Sequence, residues 1–186
     1  MDVHVQTDPR VLLVDDEPAV AQALRRCLRQ ALDHHTAIEI CHSGAAALER
    51  LHAQAFDAIV SDLRMPGMDG LQLLQHARGI QPLCTRLILT ATADFASAQR
   101  AVNSFGIYRY LTKPWDPAAL AADVRDAIEH GRALRQRQAQ ATAWTVAQGQ
   151  TSPEALERLR LEALEPGITH VEWAADGSVL MPPLDG

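Results

Sequence analysis

Val11-Leu12-Leu13-Val14-Asp15-Asp16-Glu17-Pro18 sets four consecutive apolar residues directly against two acids, a third acid and a proline. An unbroken apolar run of this length reads as a strand buried on both faces, which is the signature of a parallel sheet covered by helices. Pro18 suits the first turn of a helix, and Val20, Leu24, Cys27, Leu28 and Ala31 then recur at helical spacing. The pattern repeats along the chain. Residues 37–41 read as a second strand, and Ser43 can cap a helix carrying Ala46, Ala47 and Leu51. Residues 56–60 form a third apolar strand, again running into an acid, Asp62. Met65-Pro66-Gly67-Met68-Asp69-Gly70 reads as a loop from its Pro and Gly content, with Leu71, Leu74 and Ala77 marking the helix after it. Residues 86–89 and 108–111 supply a fourth and fifth strand, with a shorter helix expected over 96–104 between them and Pro114 closing the last strand.

Five strands alternating with helices imply an α/β fold with a five-stranded parallel sheet, (βα)5 in outline, covered on both faces. Ligands in such sheets bind beyond the carboxyl ends of the strands. Asp15 and Asp16 end the first strand, Asp62 follows the third, Thr90 ends the fourth and Lys113 follows the fifth, so all five are expected at one edge. Three carboxylates brought together cannot all ionise cheaply without a cation. Oxygen-only ligands of this kind suit Mg²⁺ or Mn²⁺ and not zinc. A carboxylate held beside such a cation can act as a nucleophile toward phosphorus. Lys113 is the only lysine in the chain, set where a compact ammonium on a flexible stem can reach a phosphoryl oxygen. Taken singly, each has a plainer reading: an acid at a strand end can cap a helix, Thr90 can be structural, and Tyr110 can be packing.

The set as a whole resembles the receiver domains of two-component response regulators. The resemblance rests on Val11-Leu-Leu-Val-Asp-Asp-Glu-Pro18, Ile59-Val-Ser-Asp-Leu-Arg-Met-Pro-Gly-Met-Asp-Gly70, Leu87-Ile-Leu-Thr-Ala91 and Tyr110-Leu-Thr-Lys-Pro-Trp115, in order across residues 10 to about 130. It implies a flavodoxin-like, CheY-like fold. It also implies phosphoryl transfer from a sensor histidine kinase or phosphotransfer protein to Asp62, with at most self-dephosphorylation as activity of its own. By position, Asp16 and Asp62 would ligate Mg²⁺ directly, Asp15 through water, and the backbone carbonyl of Arg64 would be a further ligand. Thr90 and Lys113 would hold the phosphoryl group, Tyr110 would be the aromatic switch, and Ala91 the small residue that admits the phosphohistidine. A cis bond is implied between Lys113 and Pro114. The responding surface would be formed by the fourth helix, the fifth strand and the fifth helix, here residues 95–104, 105–110 and 115 onward, with Phe105 and Trp115 as candidates either for an exposed apolar patch there or, equally, for packing against the core.

Beyond residue 117 the reading thins. Leu120, Val124, Ala127, Ile128, Gly131 and Leu134 continue a helical stripe, whose spacing is compatible with a coiled-coil seam to a second copy. Residues 135–143 are rich in Gln and Ala and offer little to pack. Gly149-Gln150-Thr151-Ser152-Pro153 is a break, followed by a helix to about Leu164 and a hairpin over 168–173 and 178–181. The expected division is a receiver over 1–130, a helical extension over 131–152, and a small helix plus hairpin over 153–186. That last unit could instead fold back on a receiver or dock to a downstream protein, with Trp144, Val171 and Trp173 as buried anchors.

The composition bounds the alternatives. The chain of 186 residues is 47% hydrophobic but only 4% aromatic, and carries a formal net charge of -6. The stretch from 117 onward has ten acids against six arginines, so no DNA-binding stripe is expected. No apolar run is long enough to span a bilayer, and the acidic N-terminal thirty residues do not suit a signal peptide. Cys27, Cys41 and Cys84 read as small core residues of a reducing compartment, and the eight histidines as surface residues. A soluble cytoplasmic protein is expected. The enzymatic alternative, a Mg²⁺-dependent phosphohydrolase with an aspartate nucleophile, calls for an Asp-x-Asp motif after the first strand. Asp15-Asp16-Glu17-Pro18 does not match it and would leave Asp62 without a role.

Overall fold

The computed structural model describes residues 8–91, 106–147, 155, 172, 173, 179 and 180. Five strands, β1 (Arg10–Val14), β2 (Ala37–Cys41), β3 (Ala58–Asp62), β4 (Thr85–Ala91) and β5 (Arg109–Lys113), form one parallel sheet in the order β2-β1-β3-β4-β5. This is the flavodoxin-like order, whose reversal lies between β1 and β3. The registers pair Val14 with Ser61, Asp62 with Leu89 and Ala91 with Lys113, so the carboxyl ends of β1, β3, β4 and β5 lie at one edge of the sheet, with β4 and β5 running past the end of β3. β3 and β5 extend over Asp62 and Lys113 themselves, which the apolar pattern alone had left just outside the strands.

Helices α1 (Pro18–Ala31), α2 (Gly44–Ala53), α3 (Gly70–Ile80) and α4 (Pro117–Ala147) accompany the sheet. Alternation along the strands splits the core in two. Leu12, Val14, Ile59 and Ile88 face α2 and α3 with Leu51, Phe56, Leu73 and Leu74. Val11, Leu13, Val60, Leu87 and Leu89 face α1 and α4 with Leu24, Leu28, Leu120 and Val124. Local chemistry starts each helix where the sequence allows it: Pro18 opens α1 and the Ser43 hydroxyl caps α2 through Ala46 N–H at 3.2 Å. Gln81 ties the base of this face together, accepting from Phe56 N–H and donating to the carbonyls of Leu51 and Gln54.

The long helix corrects one expectation. Leu120, Val124, Ala127 and Ile128 are buried in the chain's own core, and Gly131 lies against the strand bases. The stripe read as a coiled-coil seam is therefore taken up within one subunit from Leu120 to Gly131, with Leu134 only partly buried. Trp115 packs against this core, the second of its two readings, and Trp144 is 60% exposed within this chain. Residues Met1–Gln136 form one compact unit and Arg137–Gly186 a second. In the second, β6 (Glu172–Trp173) pairs antiparallel with β7 (Val179–Leu180), matching the expected hairpin at those four residues. The helix expected over 96–104, Phe95, Phe105, Val171, the Trp173 side chain and, apart from the helical Ala155, the helix expected from 153 lie outside the described residues.

Of the cysteines, Cys41 and Cys84 are buried as expected, but Cys27 is only partly covered and its thiol reaches the Pro117 carbonyl at 3.7 Å. Burial pushes the Cys84 thiol up to about 12, so its reactive thiolate is scarce at neutral pH. Under native alkylation followed by mass spectrometry, Cys27 is expected to react first and Cys84 last, about a hundredfold slower or more. Equal rates would contradict the placement of β4 in the sheet interior.

Candidate functional site

The carboxyl ends of the strands bring Asp15, Asp16, Asp62, Thr90 and Lys113 to one edge, as their order along the sequence implied. Asp15 is fully buried. Its Oδ1 accepts from Glu17 N–H at 2.9 Å, its backbone N–H donates to the Cys41 carbonyl at 3.2 Å, and the His42 ring nitrogen Nδ1 lies 3.0 Å from its carbonyl oxygen. Its Oδ2 accepts from Lys113 Nζ at 2.9 Å. The same ammonium is ion-paired with Asp62 Oδ1. Asp62 Oδ2 accepts from Arg64 N–H at 2.6 Å. One cation thus bridges two buried carboxylates across 98 residues of chain.

Desolvation dominates the electrostatics. Burial raises the Asp62 carboxyl above the ordinary carboxylate range, opposed by the hydrogen bond and charge of Lys113 and by the Arg64 amide. Burial also works against the Lys113 charge, but hydrogen bonds and attraction from Asp62 and Asp15 outweigh it and hold the ammonium above its usual value. Lys113 is therefore charged at neutral pH. Its peptide bond to Pro114 is cis.

The loop between β3 and α3 is fastened at both ends. Leu63 N–H donates to the Leu89 carbonyl, Gly70 N–H to the Leu63 carbonyl, and Gly67 takes φ +79, a conformation that other residues adopt at a cost. Asp69 caps α3 in a reciprocal box with Gln72, at 2.8 and 3.1 Å. Asp16, Leu63, Arg64, Met65, Pro66 and Asp69 line an open cleft of about 540 Å³ beside Asp62. Thr90 is buried, its hydroxyl donating to the Ala91 carbonyl at 3.2 Å, while Ala91 itself is exposed. Tyr110 is partly buried and packs against the core on the α2–α3 side. The Asp69 cap and the His42 contact were not anticipated. The first was legible as Asp69-x-x-Gln72, while nothing in the sequence pointed to the second.

Among the described residues, no three acidic, histidine or cysteine side chains are grouped as a ready-made cation cage. Asp15 and Asp62 each turn an oxygen to Lys113, and Asp16 lines the adjoining cleft. The donor chemistry nonetheless fits a hard divalent cation: carboxylate oxygens from two strand ends beside an open, water-accessible cleft.

A family model, response regulator receiver domain, matches residues 11–125. The chain belongs to that family, whose members are phosphorylated on an aspartate in two-component signalling and serve as signalling phosphoacceptors. It is 38% identical over 120 residues to the DNA-binding transcriptional regulator NtrC of Escherichia coli (strain K12), covering 64% of this chain and 25% of NtrC. To the hydrogenase transcriptional regulatory protein HoxA of Cupriavidus necator it is 36% identical over 119 residues, covering 64% of this chain and 24% of HoxA. The chain therefore spans about a quarter of the length of these curated relatives. Among solved structures, the signal receiver domain of an HD domain-containing protein from Pseudomonas fluorescens Pf-5 aligns with TM-score 0.66 and 33% identity, over 74% of this chain and 99% of that one. An adenylate cyclase structure from Rhodopirellula baltica aligns with TM-score 0.67 and 31% identity, over 73% and 98%. No helix among the described residues is long and apolar enough to cross a membrane.

Proposed function

We propose that Asp62 is the phosphoacceptor of this receiver, taking its phosphoryl group from the phosphohistidine of a sensor histidine kinase or phosphotransfer protein. The observation that carries this is the buried Asp62 carboxylate at the end of β3, held between the Lys113 ammonium and the Arg64 amide beside an open cleft. An Asp62 oxygen attacks phosphorus, the P–N bond to the donor imidazole breaks, and the imidazole nitrogen keeps the bond pair. Lys113 exchanges its pairing with the carboxylate for pairing with a phosphoryl oxygen, and the Thr90 hydroxyl leaves the Ala91 carbonyl to donate to another. Exposed Ala91 leaves room for the donor, and Tyr110 follows Thr90 inward.

Asp16 and Asp62 would hold Mg²⁺ (or Mn²⁺) directly, with the Arg64 carbonyl, and Asp15 through water. When bound, the cation supplies the positive charge that an anionic group meeting three carboxylates requires. Self-dephosphorylation is the most this chain would catalyse unaided. We read 1–130 as the receiver, 131–152 as the helical extension and 153–186 as a small separate unit, in a cytoplasmic signalling protein. Output leaves through the face of residues 95–104, β5 and α4 to a downstream protein or a second copy. A second copy would have to use the exposed side of α4, since its apolar stripe is occupied. DNA contact by these residues is not part of this reading, given ten acids against six arginines beyond 117.

With a small-molecule phosphodonor, the wild-type chain is expected to gain one phosphoryl group when Mg²⁺ is present and essentially none after chelation. Labelling that is indifferent to divalent cation would remove the cation from this account.

A further inference from the structure

At the opposite end of β3 from Asp62 stands a second buried carboxylate, Asp57, 7% exposed. Its backbone is fully used: N–H donates to the Arg10 carbonyl at 2.8 Å and its carbonyl accepts from Thr85 N–H at 2.9 Å. Its Oδ2 accepts from Arg10 N–H at 2.7 Å. Its Oδ1 receives two guanidinium groups from α4: Arg135 Nη2 is ion-paired with it and Arg132 Nε lies at 3.6 Å. Arg135 also donates to the Phe56 carbonyl at 3.3 Å. Between the arginines and the core sits Gly131, where an added Cβ would come within 2.8 Å of the Asp57 carbonyl oxygen and 3.0 Å of Thr85 Oγ1. Positions 131 and 132 each neighbour 135 on the helix surface, four and three residues before it. All three lie beyond residue 125, where the family match ends.

We propose that Asp57, Arg132 and Arg135 form a clasp that fastens α4 to the base of the sheet as far as residue 135, so that the receiver's folded unit runs ten residues past the end of the family match. The physical reason is the cost of an unpaired buried charge. Removing the arginines leaves the Asp57 carboxylate without a cation, and removing the carboxylate leaves two guanidinium groups crowded at one spot, so either loss opens the clasp.

Hydrogen exchange of the full-length chain, followed by mass spectrometry, tests it. Arg135→Gln is expected to speed exchange of amides in 129–137 at least tenfold, with peptides from β1 and α2 unchanged. Asp57→Asn should do the same, and combining the two should add less than threefold further, because both remove one interaction. Should Asp57→Asn fail to fold, Arg132→Gln alone and with Arg135→Gln replaces it in the comparison. Exchange in 129–137 within twofold of wild type in Arg135→Gln would overturn the clasp. So would acceleration spread evenly over the whole receiver, or fully additive effects in the double variant.

Discussion

Asp62→Asn is expected to abolish phosphoryl acceptance from a small-molecule donor, with labelling at least a hundredfold below wild type, while the fold stays intact. The amide keeps the size of the carboxylate and its oxygen can still accept from Arg64 N–H, but it cannot act as the anionic nucleophile. Lys113 retains Asp15 as a partner at 2.9 Å. Since burial holds the Asp62 carboxyl above its ordinary range, the ionised form is disfavoured in the folded chain relative to the unfolded one. The sign follows: the folded state binds the proton more tightly, so this group's contribution to stability falls as pH rises from the unfolded carboxylate range through the raised folded value. A neutral amide escapes that loss. The urea midpoint of the variant at neutral pH should equal or exceed that of wild type, and the difference should shrink as pH is lowered toward about 4. Labelling of Asp62→Asn at the wild-type level would remove Asp62 from its assigned role.

Gly70→Ala is expected to be the most damaging single methyl in the site loop. A Cβ there would collide with the Asp62 carbonyl oxygen and come within 3.0 Å of the Ile88 side chain. Neither can yield easily, because Asp62 is paired in the sheet with Leu89 and Gly70 N–H is bonded to the Leu63 carbonyl. The loss should be about 3 kcal/mol, the upper part of the range for overpacking a closed site, with slower labelling of Asp62 because β3 and the loop must part. Gly79→Ala, in the same helix, is the control. Nothing lies within 4 Å of the added Cβ, so the substitution should stabilise by about 0.5–1 kcal/mol through helix propensity. Equal effects at the two glycines would mean that the loop does not pack as described.

The two substitutions also show why some of this molecule could be read in advance and some could not. Strand interiors were legible because burial on both faces forces continuous apolar runs, as at Val11–Val14 and within β3. Acids at the ends of those runs then had to gather at one edge of a parallel sheet. Strand ends were less legible, because Asp62 and Lys113 are charged residues that still pair within the sheet, held by each other and by Asp15. The apolar stripe of α4 was visible, but its destination was not: the same spacing serves an intramolecular core and a coiled coil. The Asp57 clasp left no trace in local pattern. Arg132 and Arg135 look like any solvated arginines until the fold closes 78 residues of chain and sets one of them on Asp57. The close approach at Gly70 is of the same kind, since a glycine ending a Pro- and Gly-rich loop suggests a turn and says nothing of the carbonyl it must clear.

The role of Asp62 is decided by mapping the phosphorylated residue. After treatment with a small-molecule phosphodonor and Mg²⁺, borohydride reduction converts an aspartyl phosphate to homoserine, which peptide mass spectrometry locates. Homoserine is expected at position 62 alone. Homoserine at Asp15, Asp16 or Asp69, with Asp62 unchanged, would contradict it.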